Sequence, residues 1–256
     1  MTTNFHAIII TGASSGIGAA LAEHYAAPDM HLFLTGRNKE RLTALTERCT
    51  EKGANVETAM IDVTDKHAMT ETFQRWDKKY PIDLIVANAG ISQKGVEDRA
   101  RVEEILNTNI NGVVNTIYPL LPNMKGRKAG QIAILSSLAG FRGMPTAASY
   151  SASKNAVRAL GDALRPELKR HNITMTVICP GFIKTPLTDV NPFPMPFLMT
   201  AEKAARIIAG AIQKKRKRIT FPWPMAIATW LLASLPVAIT DPIITKMSLT
   251  KRKKNT

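Results

Sequence analysis

The sequence contains few cysteines, and few residues precede its first apolar run. Its two cysteines, Cys49 and Cys179, lie 130 positions apart and do not form a metal-ligand spacing. We therefore expect no metal site, and we expect both thiols to be reduced and buried, as in a cytoplasmic protein. Only Met1 to Phe5 precede the first apolar run, so no cleavable signal peptide is expected.

Acidic residues are scarce towards the end of the chain. The 256 residues carry a formal net charge of +14, from 34 Lys and Arg against 20 Asp and Glu. From Gln213 to Thr256 ten basic residues face the single acid Asp241, a net charge of +9, which leaves +5 for residues 1–212. The composition therefore predicts a mildly basic globular body, long enough for one α/β domain, with a strongly basic tail.

Short apolar runs alternate with helical stretches along the chain. This alternation predicts an α/β fold, a doubly wound parallel sheet of about seven strands with helices on both faces. The helical stretch 97–123 contains Asn109 and Gly112, so we expect a local distortion there, and Pro119 is expected to kink its far end. Pro166 is expected to bend or interrupt the helix that contains Tyr150. The predicted strands are residues 6–11, 31–35, 55–61, 83–87, 131–135 and 173–178, with a last strand within 216–223.

A glycine-rich stretch follows the first strand and leads into an Ala-rich helix. Free backbone N–H groups and the helix dipole make such a turn an anion site, and glycines permit close approach of a pyrophosphate. The spacing is Gly-x-x-x-Gly-x-Gly, not the usual Gly-x-Gly-x-x-Gly. The alternative is a glycine-rich connection without a ligand. The candidate phosphate-binding residues are Gly12, Ser14, Ser15, Gly16, Ile17 and Gly18.

The ends of the second and third strands bear on which dinucleotide is bound. An acidic residue at the end of the second strand would bind a ribose 2′-hydroxyl and favour NAD, but Gly36 and Arg37 stand there. A guanidinium suits a 2′-phosphate, so NADP is the expected preference, with NAD possible. The alternative for Arg37 is a solvated surface arginine. Asp62 and Val63 end the third strand, where a carboxylate can meet an adenine amino group.

Tyr150 and Lys154 form a candidate acid–base pair. They are four positions apart at the start of a run with helical spacing, so both side chains lie on one helix face. A fixed cation favours the phenolate and is expected to lower the tyrosine pKa from about 10. Ser137 is placed to hydrogen-bond a substrate oxygen at the same tyrosine. Such a pair on an ordinary helix is more often structural, so the surrounding motifs decide its meaning.

Together, these motifs resemble the short-chain dehydrogenase/reductase family, in its non-extended branch. The match runs in family order over about residues 5–200: the stretch from Thr11 to Gly18, then Asp62, Asn88-Ala89-Gly90, Asn109, Ser137, Tyr150-x-x-x-Lys154 and Pro180-Gly181.

The resemblance implies a Rossmann-like fold with nicotinamide chemistry. Tyr150 would be the acid/base, Lys154 would lower its pKa and hold the nicotinamide ribose, Ser137 would orient the carbonyl, and Asn109 would hold a water in a proton relay. Ser136 is the weaker of the two serine candidates. A dimer or tetramer through the two long central helices is also implied. Further residues that would bind the dinucleotide are Asn88, Ala89, Gly90, Pro180, Gly181, Ile183 and Thr185.

The C-terminal sequence differs from that of many soluble members of the family, in which a last strand is followed by Asp-Gly-Gly. It looks more like the branch with steroid and retinoid dehydrogenases and other membrane-associated reductases. Residues 185–199 would cover the substrate, and their Phe, Met, Leu and Pro content predicts either an apolar cavity or a lid packed on the core. We therefore divide the chain into a dinucleotide-binding and catalytic domain, 1–223, and an appendage, 224–256.

Ile219 to Ile239 form a run of 21 residues without a charge, broken by three prolines. The part expected to be helical, Met225 to Leu235, is too short to span a bilayer, because a transmembrane helix needs about 20 apolar residues. It fits a helix on an anionic membrane surface, with Trp223 and Trp230 at headgroup depth. The alternative is a helix buried in a dimer interface or against the body. Nucleic acid is not an expected partner, because no recognition motif accompanies the basic residues.

These observations predict an NADP-preferring oxidoreductase that interconverts a carbonyl and a secondary alcohol on a small apolar or lipid-like substrate. It is expected in the cytoplasm, peripheral to the cytoplasmic face of a membrane. The rival hypothesis is a non-catalytic dinucleotide-binding or membrane-tethering protein on the same fold. The presence together of Asn109, Ser137, Tyr150 and Lys154 argues against that rival.

Overall fold

The computed structural model describes residues 5–92, 98–145, 147–189 and 194–252, with side chains up to residue 245. Within them the strands form one seven-stranded parallel sheet, and the predicted doubly wound α/β fold is confirmed. The strands, in the spatial order β3-β2-β1-β4-β5-β6-β7, are β1 (Ala7–Ile10), β2 (His31–Gly36), β3 (Asn55–Met60), β4 (Leu84–Ala87), β5 (Gly130–Leu135), β6 (Ile173–Pro180) and β7 (Arg218–Phe221).

Helices pack on both faces of the sheet, because central parallel strands are apolar on both sides. One core cluster joins Ile8 and Leu34 to Leu21 and Ile208, and the other joins Ile9 to side chains that include Trp76. The helices are α1 (Gly16–Tyr25), α2 (Lys39–Glu51), α3 (Lys66–Lys79), α4 (Arg99–Leu106), α5 (Gly112–Ile117), α6 (Leu121–Arg127), α7 (Ala148–Arg170), α8 (Ala201–Gln213), α9 (Trp223–Ser234) and α10 (Val237–Arg252).

The order of the strands places a crevice beside β1. This strand pairs with β2 on one side and β4 on the other, so the chain reverses its direction of progress across the sheet there. Ligands of open α/β sheets bind outside the carboxyl ends of the strands at such a switch point. The glycine-rich stretch and the residues after β4 both lie at this edge.

The distortion expected in the stretch 97–123 is confirmed. Asn107–Asn111 form a π-helical segment between α4 and α5. The predicted single stretch is otherwise divided, since α5 ends at Ile117 and Pro119 lies in the turn before α6. The predicted first residue, Glu97, lies outside the described residues.

Pro166 does not interrupt α7, so that part of the prediction is wrong. The helix continues from Ala148 to Arg170 with the proline inside it. Val157, Gly161 and Leu168 are buried on its sheet-facing side. Their packing offsets the backbone hydrogen bond that a proline cannot donate.

The C-terminal segment adds a strand and two helices to the sheet edge. The predicted last strand is confirmed as β7, and α9 begins at Trp223, two residues before the predicted helix start. In the part of the chain that the structure describes, no helix is both long enough and apolar enough to cross a membrane. Both cysteines are free and buried, as expected.

Candidate active site

The glycine-rich loop is tied to the end of β4 by Thr11 and Asn88. The hydroxyl Oγ1 of Thr11 accepts hydrogen bonds from the backbone N–H groups of Asn88 at 3.1 Å and Ala89 at 3.2 Å. In return, Nδ2 of Asn88 donates to the carbonyl oxygens of Thr11 at 2.9 Å and Gly12 at 3.2 Å. These bonds hold the loop at the crevice. Thr11 was not among the candidate residues, although its position at the end of the first strand was a usable signal.

Three glycines let the loop pack this closely. A Cβ added to Gly12, where φ is +64°, would lie 2.7 Å from Cα of Ala89, and one on Gly18 would lie 2.5 Å from the Gly12 oxygen. A Cβ on Gly16, where φ is +58°, would lie 2.8 Å from Cγ2 of Thr185. Ser15 stands at the N-cap of α1 with an extended backbone, so the first N–H groups of the helix face the loop. This cradle fits the phosphates of a dinucleotide.

Arg37 and Asp62 meet beside this cradle, at the ends of β2 and β3. Nη1 of Arg37 lies 3.4 Å from Oδ2 of Asp62, while Oδ1 accepts from the N–H and hydroxyl of Thr64 at 2.9 and 2.8 Å. Burial pushes the pKa of Asp62 up, but the Thr64 hydrogen bonds and then Arg37 hold it below its ordinary value. The Arg37 side chain is 59% exposed, so its guanidinium can be reached by an anion from solvent.

Two further contacts complete the side of the crevice formed by the ends of β2 and β3. Ser14 lies against Gly36, where an added Cβ would be 3.0 Å from Cβ of Ser14. Val63 is buried, its oxygen accepts from Nδ2 of Asn115 at 2.9 Å, and its Cγ2 would lie 2.5 Å from a Cβ on Gly112. The mid-helix glycine therefore allows close packing of the loop after β3.

The two serines after β5 have different partners. The hydroxyl of Ser136 donates to the backbone oxygen of Lys154 at 2.7 Å and so holds α7 to the sheet. The hydroxyl of Ser137 is hydrogen-bonded to Tyr150 and accepts from the N–H of Ala139 at 3.1 Å. Ser137, and not Ser136, is therefore the serine that is hydrogen-bonded to Tyr150.

Lys154 lies beside Tyr150, but the pKa of Tyr150 is raised, not lowered. The ammonium is 5.8 Å from the centre of the tyrosine ring and donates to the oxygen of Leu135 at 2.9 Å. Burial raises the pKa of Tyr150 above 10, and the hydrogen bond with Ser137 opposes that rise only in part. Burial also lowers the pKa of Lys154 from 10.5 to about 8. The expected lowering of the tyrosine pKa is therefore corrected, because desolvation outweighs the distant cation.

Asn109 is fully buried in the π-helical segment and clamps the chain after β4. Its Nδ2 donates to the Ile91 oxygen and to the hydroxyl of Ser153, both at 2.9 Å, and its Oδ1 accepts from the N–H of Ile91 at 2.8 Å. Both amide hydrogens are thus used on protein partners. Ser153 in turn donates to the backbone oxygen of Tyr150 at 2.8 Å. Sequence reasoning missed Ser153, whose place between Tyr150 and Lys154 was the available signal.

Gly90 lies where Asn109 and Lys154 come together. A Cβ on this glycine would be 3.0 Å from Oδ1 of Asn109 and 3.2 Å from Nζ of Lys154. The residues after β4 therefore pack directly on α7. The crevice and the candidate catalytic side chains form one site.

The turn after β6 closes the other side of the site. Pro180 places its oxygen 3.5 Å from the hydroxyl of Ser137, and the N–H of Gly181 donates to the oxygen of Phe221 at 2.7 Å. These contacts connect the end of β6 to both β5 and β7. The edge strand β7 is thereby joined to Ser137.

Ile183 and Thr185 continue this turn over the glycine-rich loop. The hydroxyl of Thr188 donates to the oxygen of Ile183 at 2.7 Å and accepts from the N–H of Thr185 at 3.0 Å. This small network holds Thr185 against Gly16. Thr188 was missed from the sequence because no motif marks it.

The segment predicted to cover the substrate, 185–199, is described except for residues 190–193. Met199 pairs with Ile183 and packs against the core, while Phe197 and Leu198 are 58% and 44% exposed. The described part thus contains both core packing and free apolar side chains. A separate cavity of about 500 Å³ lies between α10, the loop after β5 and α7, on a face of α7 that contains Ala148 and Ala152 rather than Tyr150.

Comparison with known proteins identifies the family. Residues 6–192 match the model of the short chain dehydrogenases. An uncharacterized oxidoreductase of Myxococcus xanthus is 37% identical over 242 residues, which are 93% of this chain and 96% of that protein. A solved 3-oxoacyl-[acyl-carrier protein] reductase of Brucella melitensis with bound NAD is 26% identical, with a TM-score of 0.74 over 84% of this chain and 89% of its own.

A second solved structure, ElxO with NADP bound, is also 26% identical and has a TM-score of 0.75, covering 84% of this chain and 96% of its own. The family model covers well over half of the chain, and the bacterial relative aligns along nearly its whole length. The chain therefore belongs to the short-chain dehydrogenase/reductase family and is an oxidoreductase of that family.

Proposed function

We propose that this oxidoreductase interconverts a carbonyl and a secondary alcohol, acting in NADPH-dependent reduction of an apolar or lipid-like substrate. The observation that carries the proposal is the convergence of Ser137, Tyr150 and Lys154 beside Gly90 and the glycine-rich loop. When bound, the nicotinamide supplies or accepts the hydride.

Tyr150 is the proton donor in this proposal. With its pKa above 10, the hydroxyl carries a proton at neutral pH that it can give to a substrate oxygen held against it. Ser137 already hydrogen-bonds the tyrosine and would hold the same oxygen. The ammonium of Lys154 favours the phenolate that remains after transfer. Asn109 acts as a positioning residue, since its amide holds Ile91 and, through Ser153, the first turn of the helix that carries Tyr150.

The dinucleotide would lie along the crevice. The glycine-rich loop and α1 would hold the phosphates, Asp62 and Val63 the adenine, and residues 88–90, 180–181, 183 and 185 the nicotinamide half. The two solved relatives bind NAD and NADP respectively, so the fold serves either cofactor. Arg37, exposed beside the cradle, favours the 2′-phosphate of NADP.

An apolar substrate is supported by the segment predicted to cover it, in which the apolar side chains of Phe197 and Leu198 are exposed. The buried free thiols fit a reducing compartment, so we propose a cytoplasmic enzyme. We also propose a homodimer or homotetramer through α4, α5 and α7, to be tested by analytical ultracentrifugation.

The test of this function is Tyr150→Phe, with Tyr118→Phe, an exposed tyrosine that loses the same hydroxyl, as the control. We expect Tyr150→Phe to slow turnover of apolar ketones and aldehydes by about 10²- to 10⁴-fold, while NADPH affinity measured by fluorescence changes little. Arg37→Asp is expected to weaken NADPH binding relative to NADH binding. Full activity of Tyr150→Phe contradicts the mechanism, and failure of both nucleotides to bind contradicts the cofactor assignment.

A further inference from the structure

Helix α9 presents an apolar face to solvent. Trp223, Ile227, Trp230 and Leu231 are 73%, 50%, 57% and 47% exposed, and their spacing of three and four places them on one side of the helix. The helix contains no charged residue. A surface helix normally turns polar side chains to this side, and a contiguous exposed apolar patch marks an interaction surface.

The opposite side of α9 is fixed to the body of the protein. Met225 and Ala226 pack on the cluster of Leu138, Val177 and Cys179. A Cβ on Gly181 would lie 3.0 Å from Cδ of Pro222. The apolar patch is therefore held beside the loop after Ser137 and the turn after β6, at the edge of the candidate active site.

Positive charge lies close to this patch. Residues 214–218 are all basic and exposed; 214–217 immediately precede β7 and Arg218 begins it, and the four residues of the strand span about 13 Å before α9 begins. The guanidinium of Arg218, which pairs with Asp162, lies 6.0 Å from the ring of Phe141, and Phe141 packs on the same cluster as Met225. The apolar surface also continues into α10, where Val237, Ile239 and Ile243 are exposed.

We propose that α9 and the start of α10 dock the protein peripherally on a bilayer that contains anionic lipid. Twelve residues of α9 span about 18 Å, too little to cross the hydrocarbon, so the helix would lie along the interface. Trp223 and Trp230 would enter the headgroup layer, and the basic residues would meet lipid phosphates. The proposal goes beyond the reaction and does not depend on it.

The positive charge of the C-terminal segment favours an anionic bilayer over a second copy of the chain as the partner of α9. From Gln213 to Thr256 the net charge is +9, so two copies of this segment would repel each other across an interface. An anionic lipid surface is instead attracted to each basic residue near it. Docking would place the edge of the active site that contains Leu138 and Pro180 next to lipid.

The first test is flotation of the full chain with vesicles of phosphatidylcholine, alone or mixed with phosphatidylglycerol. We expect flotation with the anionic vesicles, and we expect the double variant Ile227→Glu and Trp230→Glu to reduce partitioning by about tenfold or more. Met60→Glu is the control, because Met60 is 60% exposed at the opposite edge of the sheet. The proposal is overturned if the wild type does not float, if the double variant floats equally, or if the double variant only converts a dimer to monomers.

The second test uses the wild type alone, so it does not depend on how a variant folds. Trp76 is buried, whereas Trp223 and Trp230 are exposed, so a change in tryptophan fluorescence on adding vesicles reports on α9. We expect a shift to shorter wavelength with anionic vesicles and quenching by lipids brominated on the acyl chain. An unchanged spectrum with anionic vesicles would overturn the proposal, whatever the enzyme's activity.

Discussion

Replacement of Lys154 by Met is expected to make the protein inactive and, at neutral pH, more stable. Lys154 is 5% exposed, and burial lowers its pKa from 10.5 to about 8. Holding the ammonium in this site at pH 7 therefore costs about 3 kcal/mol of unfolding free energy. Methionine has a similar length and no charge, so it removes this cost.

The substitution also removes the hydrogen bond from Nζ to the Leu135 oxygen, which is worth about 1 kcal/mol. The net gain at pH 7 is therefore about 2 kcal/mol. Because the folded pKa is below the unfolded one, the wild type recovers stability as pH rises from about 8 towards 10.5. The advantage of the variant should accordingly shrink over this range and disappear near pH 10.

The assay is chemical denaturation of wild type and Lys154→Met from pH 6 to 10, with Lys169→Met on the same helix as the control. Lys169 is exposed, so its replacement is expected to change stability by less than about 0.5 kcal/mol at every pH. A stability difference for Lys154→Met that does not vary between pH 8 and 10, or a loss of stability at pH 7, would refute the argument from burial.

Two further predictions concern packing around the site. Gly112→Ala places a Cβ 2.5 Å from Val63 and should destabilise the protein by about 1–3 kcal/mol, whereas Gly210→Ala in α8, with open space around the added atom, should stabilise it by about 0.5–1 kcal/mol. Thermal unfolding of both variants measures these changes in stability, and equal changes in the two variants would contradict the close packing at Gly112. Asn109→Ala leaves the N–H and the oxygen of Ile91 without their partner, so it should lower the free energy of unfolding by about 3 kcal/mol. The control, Asn111→Ala at an exposed position, should lower it by less than about 0.5 kcal/mol. Similar losses in the two variants would contradict the role of Asn109 in holding Ile91.

Much of the fold could be predicted from local patterns. The apolar runs at 6–11 and 173–178 are β1 and β6, since strands buried on both faces must be apolar throughout. The distortion near Asn109 also followed from residues that disfavour a regular helix. The prediction from Pro166 was wrong because the proline has only a local cost, the loss of one backbone hydrogen bond. Packing of α7 on strands that are distant in the sequence offsets this cost.

The candidate site shows the same division between local and distant effects. Glycine spacing, Arg37, Ser137 and the Tyr150 pair could be recognised because each lies in a short motif next to a strand or helix end. Thr11 and Ser153 lie within such motifs and no motif marks Thr188, but the roles of all three depend on hydrogen bonds to residues brought close by the fold. The pKa of Tyr150 was misjudged for the same reason, because desolvation depends on everything packed around the hydroxyl.

The sequence by itself determined the order of the elements, the family motifs and the placement of positive charge near the C-terminus. These are properties of neighbouring residues, and helical or strand periodicity is enough to interpret them. Only the tertiary structure decided which side of α9 packs on Leu138 and which side, with Trp223 and Trp230, faces solvent. An apolar helix has no polar face to orient it, so its orientation depends on the surface against which it packs.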